Sequence, residues 1–481
     1  MDCGYLLLLS TPSVAKPAIQ HEFWWLESAP VSLKSLGLRY APYWLQDAVI
    51  GWYNTRLYGQ RHAGRYGEMR KYFACWERAS AGDLVIESKR RLEELLSHAR
   101  TNSHWYSDAG VDLSEFPLLE KVSLLRELPR ISTISEQEGL VSLTGGTTGA
   151  SMKVIYTHED MQERFALLDH FRESHGYRLG EKVAWFSGKS LATQRDVDKG
   201  RCYRDDRRNN IRFFSTFLIN QRNFDSYWNA LQAFRPRFIV GFPSSVLDIA
   251  MVARERGLVA DWKVEVMFPT AETVLPVHRE VIGDVFGCRL VDQYASSEGA
   301  PFILECAKGR LHIHPLTGVF EVLDGNGNPA REGEMVVTSF TTHGTPLVRY
   351  RVGDRLRLAA NDDSCDCGWN FPLVDWIDGR TSDFVYSRET GRINLGNLSN
   401  CTKDVDGILS FQVVQDVEDE IMVRVVGDRR FDTNQADRFL EALRQRTGEV
   451  MRIRLEQVDE IPREPSGKFR FVKNSIASRV G

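Results

Sequence analysis

Residues 140–156 read LVSLTGGTTGASMKVIY. From Thr144 to Met152 this stretch holds three glycines, three threonines and a serine, and Lys153 follows. Glycine lets the backbone turn tightly and present its N–H groups. The hydroxyls of Thr144, Thr147, Thr148 and Ser151 add donors, so the loop suits an anion, above all a polyphosphate. Leu140-Val141-Ser142-Leu143 and Val154-Ile155-Tyr156 read as strands, which predicts a hairpin with the loop at its tip. A P-loop is excluded. That motif has four residues between its glycines and then Gly-Lys-Ser/Thr opening a helix. Here Gly145 and Gly149 have three between them, and the lysine stands four places beyond Gly149. A plain flexible glycine turn is the alternative this stretch alone leaves open.

Downstream, His158 to Glu173 predicts an amphipathic helix with Thr157 or His158 at its cap. Strands are then expected at Lys182–Ser187, Ile211–Leu218, Phe238–Gly241, Val264–Phe268 and Cys288–Gln293. Helices are expected at Asn223–Phe234, Pro243–Arg256 and His278–Phe286. The alternation predicts an open α/β sheet. From Gly299 the pattern turns to short strands, Leu311–Leu316, Val319–Leu323, Glu334–Ser339 and Leu347–Tyr350, which predicts a β-rich subdomain over about residues 300–378. Beyond Arg380, strands at Leu409–Asp416, Glu420–Val426 and Met451–Val458 and a helix at Asn434–Gln445 predict a small α+β domain. Upstream, residues 30–105 read as helices, with Leu36–Tyr58, Arg70–Trp76 and Ser88–Arg100 the clearest. Their aromatics read as core. Residues 1–34 read as a tail, because the apolar run Tyr5–Leu9 is too short to span a membrane and lacks the basic flank of a signal peptide.

A chain of 481 residues exceeds one typical core, and 42% hydrophobic with 26% charged residues is ordinary for a globular protein. A net charge of −4 predicts neither nucleic acid nor an anionic membrane as partner. The arginines from Arg204 to Arg212 are interrupted by aspartates and asparagines and read as a solvated loop. No apolar run reaches about 18 residues, so no membrane span is expected. Eight cysteines without a signal sequence suggest reduced thiols and a cytoplasmic location, in a monomer or homodimer.

Five further stretches fall at predicted turns or strand ends, where α/β sheets gather ligands. They are Thr270-Ala271-Glu272, then Asp292-Gln293-Tyr294-Ala295-Ser296-Ser297-Glu298, then Val348-Arg349-Tyr350-Arg351-Val352-Gly353-Asp354. Gly379-Arg380-Thr381-Ser382-Asp383 and Pro465-Ser466-Gly467-Lys468-Phe469-Arg470 complete the set. The third is expected to end a strand with a turn carrying Asp354. Each alone is weak, but their order resembles the adenylate-forming superfamily of acyl-CoA synthetases, peptide-synthetase adenylation domains and luciferases. Within it the chain looks most similar to the phenylacetate–coenzyme A ligase family, in the branch associated with capsular polysaccharide biosynthesis. YWLQDAVIGWYNTRLYG, PRFIVGFPSSVLDIA, ILSFQVVQD and DEIPREPSGKFRFV carry that closer likeness, which covers roughly residues 35–481.

The resemblance implies an α/β fold with a large domain at 35–381 and a small, mobile domain at 382–481. It implies that Thr144, Gly145, Gly146, Thr147, Thr148 and Gly149 hold the β and γ phosphates of ATP. Tyr294 would stack on adenine with Ala295 and Ser296 beside it and Glu272 nearby, and Asp354 with Arg380 would hold the ribose. Glu298 would bind Mg²⁺, a hard cation that takes carboxylate and phosphate oxygens. Lys468 would bridge the carboxylate and the α-phosphate as charge develops. Ser382 and Asp383 would lie at the hinge, where Ser382 stands in place of the usual aspartate. A small-molecule carboxylic acid would be adenylated with release of pyrophosphate, and coenzyme A would then displace AMP. Trp185, Phe186, Phe214, Phe242 and Pro243 are candidates for the acyl pocket and are equally good core residues. An acyl-adenylate-dependent amide ligase is the alternative. A non-catalytic scaffold fits poorly with the retained Glu298, Asp354, Arg380 and Lys468.

Cys306-x5-His312 and Cys365-x-Cys367 flank the β-rich region and offer the donors of a Cys₃His site. His314 competes for the fourth place, and four unlinked buried residues are the plain alternative. Some members of the resembling family carry a structural zinc with ligands at matching places, which implies one here. Cysteines 75, 202, 288 and 401 read as core or surface.

Overall fold

The computed structural model describes residues 41–144, 152–187, 191–216, 218–219, 221–296, 298–360, 362–378, 384–389, 391–394, 398, 400–402, 405–462 and 470–476. Helices α1 (Tyr43–Arg61), α2 (Tyr66–Trp76) and α3 (Ala81–Asn102) come first. The third begins earlier than its leucine spacing suggests, because Ser80 caps it by accepting from the Asp83 N–H. Strands β1 (Leu140–Thr144) and β2 (Met152–Tyr156) pair antiparallel with Thr144 opposite Met152, as the hairpin reading expects. Residues 145–151 between them lie outside the described residues. Helix α4 (His158–Ser174) follows, and its cap is Thr157 in a reciprocal box with Asp160.

Next come β3 (Val183–Ser187), β4 (Tyr203–Asp206), β5 (Ile211–Ser215), α5 (Phe224–Phe234), β6 (Phe238–Gly241), α6 (Pro243–Glu255), β7 (Val266–Pro269), α7 (Pro276–Phe286) and β8 (Arg289–Leu290). The strands form one sheet in the order β4-β5-β3-β6-β7-β8, parallel throughout except at the β4–β5 edge. Successive residues alternate between two cores. Ala184, Phe186, Phe214, Ile239 and Met267 join one, and Val183, Phe238, Val240, Val266 and Phe268 the other. Burial on both faces explains why Phe238–Gly241 reads as a continuous apolar run.

The structure corrects the reading of Arg204–Arg212, which is no solvated loop but β4, a turn and the start of β5. Arg212 holds both oxygens of Asp205 at 2.7 and 2.9 Å, and buried Arg204 donates to Gln46 of α1 at 2.8 Å. Buried Asp206 accepts from Asn54 and Asn209. Arg212 and Asp205 neutralise each other, Arg204 and Asp206 bond amide side chains, and of the charged residues here only Arg207 and Arg208, in the turn, stay exposed.

Strands β9 (Gln293–Tyr294), β10 (Ile303–Glu305), β11 (Leu311–Ile313), β12 (Gly318–Leu323), β13 (Glu332–Ser339), β14 (Tyr350–Leu358) and β15 (Leu373–Asp378) form a second, antiparallel sheet. Its order is β12-β13-β14-β15-β11-β10-β9. Two expectations are corrected here. Cys288–Gln293 is not one strand, because the chain leaves the first sheet at Leu290 and enters the second at Gln293. Glu305 holds the crossing: its carboxylate accepts from the Asp292 N–H at 2.8 Å and from Arg279 at 2.6 and 3.1 Å. Nor does Leu347–Tyr350 end a strand. Arg349 sits at φ 49°, a left-handed conformation that breaks extended chain, so the strand starts at Tyr350 and runs through Asp354.

The C-terminal region contains the hairpin β16 (Phe384–Ser387) and β17 (Gly391–Asn394), then β18 (Ile408–Val417), β19 (Glu420–Gly427), α8 (Thr433–Thr447), β20 (Arg452–Gln457) and β21 (Val472–Asn474). The last four strands order as β20-β19-β18-β21. They enclose a core of their own, with Phe411, Val413, Ile421, Val423, Phe439 and Leu443 at its centre. Among the described residues no helix is long and apolar enough to cross a membrane.

Candidate active site

Tyr294 ends β9, and its phenol donates to Asp354 Oδ2 at 2.7 Å. Asp354 lies where β14 bulges. Arg351 pairs with Val336 and Arg355 with Glu334, so Val352–Asp354 face a single residue of β13. Ala295 is exposed, and the Ser296 hydroxyl accepts from the Ala300 N–H at 3.0 Å. That bond closes a turn around Glu298, which is only 5% exposed. No hydrogen bond or ion pair to the Glu298 carboxylate occurs among the described residues.

The chain after Glu298 is fixed by Arg164 of α4. This buried guanidinium donates to the Gly299 carbonyl at 3.0 Å, the Ala300 carbonyl at 3.2 Å and Thr341 Oγ1 at 3.0 Å. Gly299 is at φ 108°, and a Cβ there would lie 2.5 Å from Thr342 Cγ2 and 2.7 Å from the Tyr156 hydroxyl. Only glycine fits. Burial raises the pKa of Tyr156; Arg164 opposes the rise and the Glu298 charge adds to it. The end of the β1–β2 hairpin stem and the Glu298 turn are therefore neighbours. Arg164 escaped the sequence reading because no local motif marks a helical arginine whose partners are more than a hundred residues away.

On the other side of Tyr294, Gln293 donates to the Pro269 carbonyl at 3.3 Å and accepts from Arg172 at 3.2 Å. The Asp292 carboxyl is pushed up to about 6, by burial first and then by the nearby charge of Glu305. Glu272 follows β7 and receives the Ser244 N–H at 3.0 Å and the Ser244 hydroxyl at 2.8 Å, which caps the first turn of α6. Phe186 and Phe214 stack at 4.8 Å, and with Phe242 and Pro243 they are buried at the ends of the parallel strands. Trp185 packs on Phe213. Thr144 is the last residue of β1. Gly145, Gly146, Thr147, Thr148, Gly149, Arg380, Ser382, Asp383 and Lys468 lie outside the described residues.

The four sequence-predicted metal ligands do converge. The donor atoms of Cys306, His312, Cys365 and Cys367 lie within 4.8 Å of one another. Cys306 and Cys365 bring their sulfurs to 3.7 Å, and Cys367 Sγ is 3.5 Å from His312 Nε2. His312 Nδ1 bonds the Phe371 carbonyl at 3.1 Å, which turns Nε2 toward the sulfurs. Three thiols and an imidazole in this arrangement suit a closed tetrahedral cation site. His314 is not part of it and packs between Phe73 and Phe371.

Residues 385–475 match the family model described as the CapK C-terminal domain. Protein CapK of Staphylococcus aureus is 31% identical over 426 residues, 85% of this chain and 92% of that protein. Phenylacetate-coenzyme A ligase of Thermus thermophilus is 24% identical over 430 residues, 80% of this chain and 95% of that protein. Among solved structures, 2-hydroxyisobutyryl-CoA ligase in the postadenylation state with 2-HIB-AMP has a TM-score of 0.66 at 19% identity. The match covers 83% of this chain and 91% of that one, a likeness of fold.

Proposed function

This chain belongs to the CapK family of adenylate-forming proteins related to phenylacetate–CoA ligase, and on that premise we propose that it joins a small carboxylic acid to coenzyme A through an acyl-adenylate. The carboxylate attacks the α-phosphate of ATP, pyrophosphate leaves, and the thiol then displaces AMP. The resemblance to the capsular polysaccharide branch supports an acid used in surface-polymer chemistry. The contact of Tyr294 with Asp354 carries the reading, because the 2.7 Å bond from the phenol to the carboxylate holds an aromatic ring and a carboxylate side by side, a pair suited to a nucleoside.

In this reading the loop Thr144–Gly149 grips the β and γ phosphates with N–H and hydroxyl donors. Tyr294 stacks on adenine beside Ala295 and Ser296, and Glu272 rigidifies the neighbouring turn. Asp354 and Arg380 take the ribose hydroxyls. Glu298 would hold Mg²⁺, which when bound would offset phosphate charge; a buried carboxylate with no hydrogen bond or ion pair among the described residues supports this. Lys468 bridges the attacking carboxylate and the α-phosphate, where charge accumulates. It belongs to a small domain at 382–481 that turns about Ser382 and Asp383, and the separate core of that region supports the division. Cys306, His312, Cys365 and Cys367 hold a structural zinc ion, which when bound staples the β-rich sheet.

Exchange of labelled pyrophosphate into ATP, run over a panel of carboxylic acids, tests the first half-reaction. At least one acid should support it. Silence with every acid, in protein that binds ATP, sinks the proposal. Adding coenzyme A or candidate amines to an active acid then identifies the acceptor.

A further inference from the structure

One loop, Thr341–Pro346, lies between the β1–β2 hairpin, the Glu298 turn and the strand that carries Asp354. Thr341 receives Arg164, the arginine that also fixes the Glu298 turn. Thr342 lies against Gly299. The loop then leads through Leu347 and Val348, both fully buried, into β14 and Asp354. Its middle presses on the outer edge of the β1–β2 hairpin. The Ile155 N–H donates to Thr345 Oγ1 at 2.9 Å, and Ser132 lies 3.1 Å from the same hydroxyl. A Cβ on Gly344 would meet the Ile155 carbonyl at 2.4 Å. The loop thus covers a two-stranded edge that a hairpin alone leaves open.

The contact between loop and hairpin is held by one carboxylate. Asp160 is only 2% exposed. Its oxygens accept from the Thr157 N–H at 3.0 Å, the Gly344 N–H at 3.2 Å and His343 Nδ1 at 2.7 Å. Thr157 is the residue directly after β2, so the same carboxylate grips the end of the hairpin and the loop. On its far side the His343 carbonyl accepts from Thr133 Oγ1 at 2.6 Å and meets His98 Nε2 at 3.0 Å. We propose that Asp160 and His343 are a positioning pair that sets the phosphate-binding hairpin at a fixed distance from the ribose-binding strand. They touch no reacting atom; they act through the backbone of Ile155, Thr157 and Gly344.

The charged groups around the pair agree with this role. Burial disfavours the imidazolium of His343, but the hydrogen bond and charge of Asp160, with Glu163 of α4, raise its pKa overall; Arg91 of α3 opposes. His98 of α3 stacks edge-on against the ring at 5.1 Å, and burial lowers its own pKa. A raised histidine contributes its stabilisation fully below its ordinary value of 6.5 and loses it as pH rises through the folded value. The grip on the hairpin should therefore weaken on the alkaline side.

The role in ATP binding rests on the function proposed above; the effect on the hairpin does not. His343→Ala removes a charge-assisted hydrogen bond, so KM for ATP should rise roughly tenfold with kcat changed less than about twofold. The amides of Ile155 and Thr157 should exchange with deuterium faster. His343→Asn restores a donor near the position of Nδ1, so it should recover both and abolish the alkaline rise in KM. Thr345→Val, which conserves volume and removes the acceptor for Ile155 together with the contact to Ser132, should reproduce the exchange effect at Ile155 if His343→Ala does not fold. Unchanged exchange at Ile155 and Thr157 in both variants overturns the proposal. So does a rise in KM that His343→Asn does not rescue. If the wild type supports no pyrophosphate exchange, the function fails and the deuterium measurement alone judges the pair.

Discussion

The hydroxyl of Tyr294 reaches the carboxylate of Asp354 at 2.7 Å, although β9 and β14 are not neighbours in their sheet. Strands β15, β11 and β10 lie between them. A side-chain contact across three strands requires the sheet to coil until its β9 edge comes back toward β14. Tyr294 and Asp354 close that coil, and the closure creates the candidate nucleoside site.

Tyr294→Phe keeps the aromatic face and removes the bond to Asp354. KM for ATP should rise about three- to tenfold, with a smaller effect on kcat, since the net contribution of one hydrogen bond is about 0.5–1.5 kcal/mol. Initial-rate measurements at varied ATP decide this. A variant with unchanged KM would mean that the pair is purely structural.

In the proposed reaction Lys468 acts only on the adenylation transition state, and Lys468→Ala removes that cation. Adenylate formation should fall by about 10²–10³ or more. Thioester formation from supplied acyl-adenylate should continue at close to the wild-type rate. Equal damage to both steps would contradict a domain that turns between them.

Native protein purified without chelator should contain one zinc ion per chain, and Cys365→Ser should contain far less. The cluster sits beside α2. Trp369, two residues from Cys367, donates its indole to Glu77 at 3.2 Å, and Asn370 donates to the Ala79 carbonyl at 2.9 Å. Loss of metal should therefore make the segment 76–80 more accessible to protease. Metal analysis that finds no zinc would remove the staple from the reading.

Asp292 offers a pH test of the sheet crossing. Burial and Glu305 raise its carboxyl to about 6, against an ordinary 3.8. An acid raised in the folded state binds its proton more tightly there, so stability should fall as pH rises from about 4 to about 6 and stay low above. Asp292→Asn keeps an oxygen for the Gln293 N–H and removes the charge. Its Tm at pH 7.5 should be higher than wild type by roughly 1–3 °C, with less pH dependence. A lower Tm at pH 7.5 would show that the ionised form is favoured by something else.

The parts legible in the sequence were those with a local signature. The glycine-rich hairpin, the alternating strands and helices of residues 182–290 and the Cys/His quartet all carry spacing or composition of their own. Arg164, Asp160, His343 and Thr345 carry none, because their meaning lies in partners far along the chain. One hint was present: Thr157 and Asp160 have the spacing of a capping box, which marked the helix start but not the second grip on Gly344. The misreadings share a cause. Arg204 and Arg212 look solvated until β4 and β5 are laid side by side. Leu347-Val348 looks like a strand until the left-handed Arg349 breaks it. The run 288–293 looks continuous because both sheets want the same apolar residues.

That run has a consequence for how the molecule melts. Residues 289–294 run from one large sheet into the other, and Leu304 of the antiparallel sheet, with Phe302 just before its strand, shares a core with Val266 and Phe268 of the parallel one. Neither sheet can lose its order while the other keeps its core, so the two should unfold in a single calorimetric transition. The C-terminal sheet has a core of its own and owes nothing to that seam. A second, separable transition is expected from it, and only that second transition should survive a mutation that opens the crossing at Asp292.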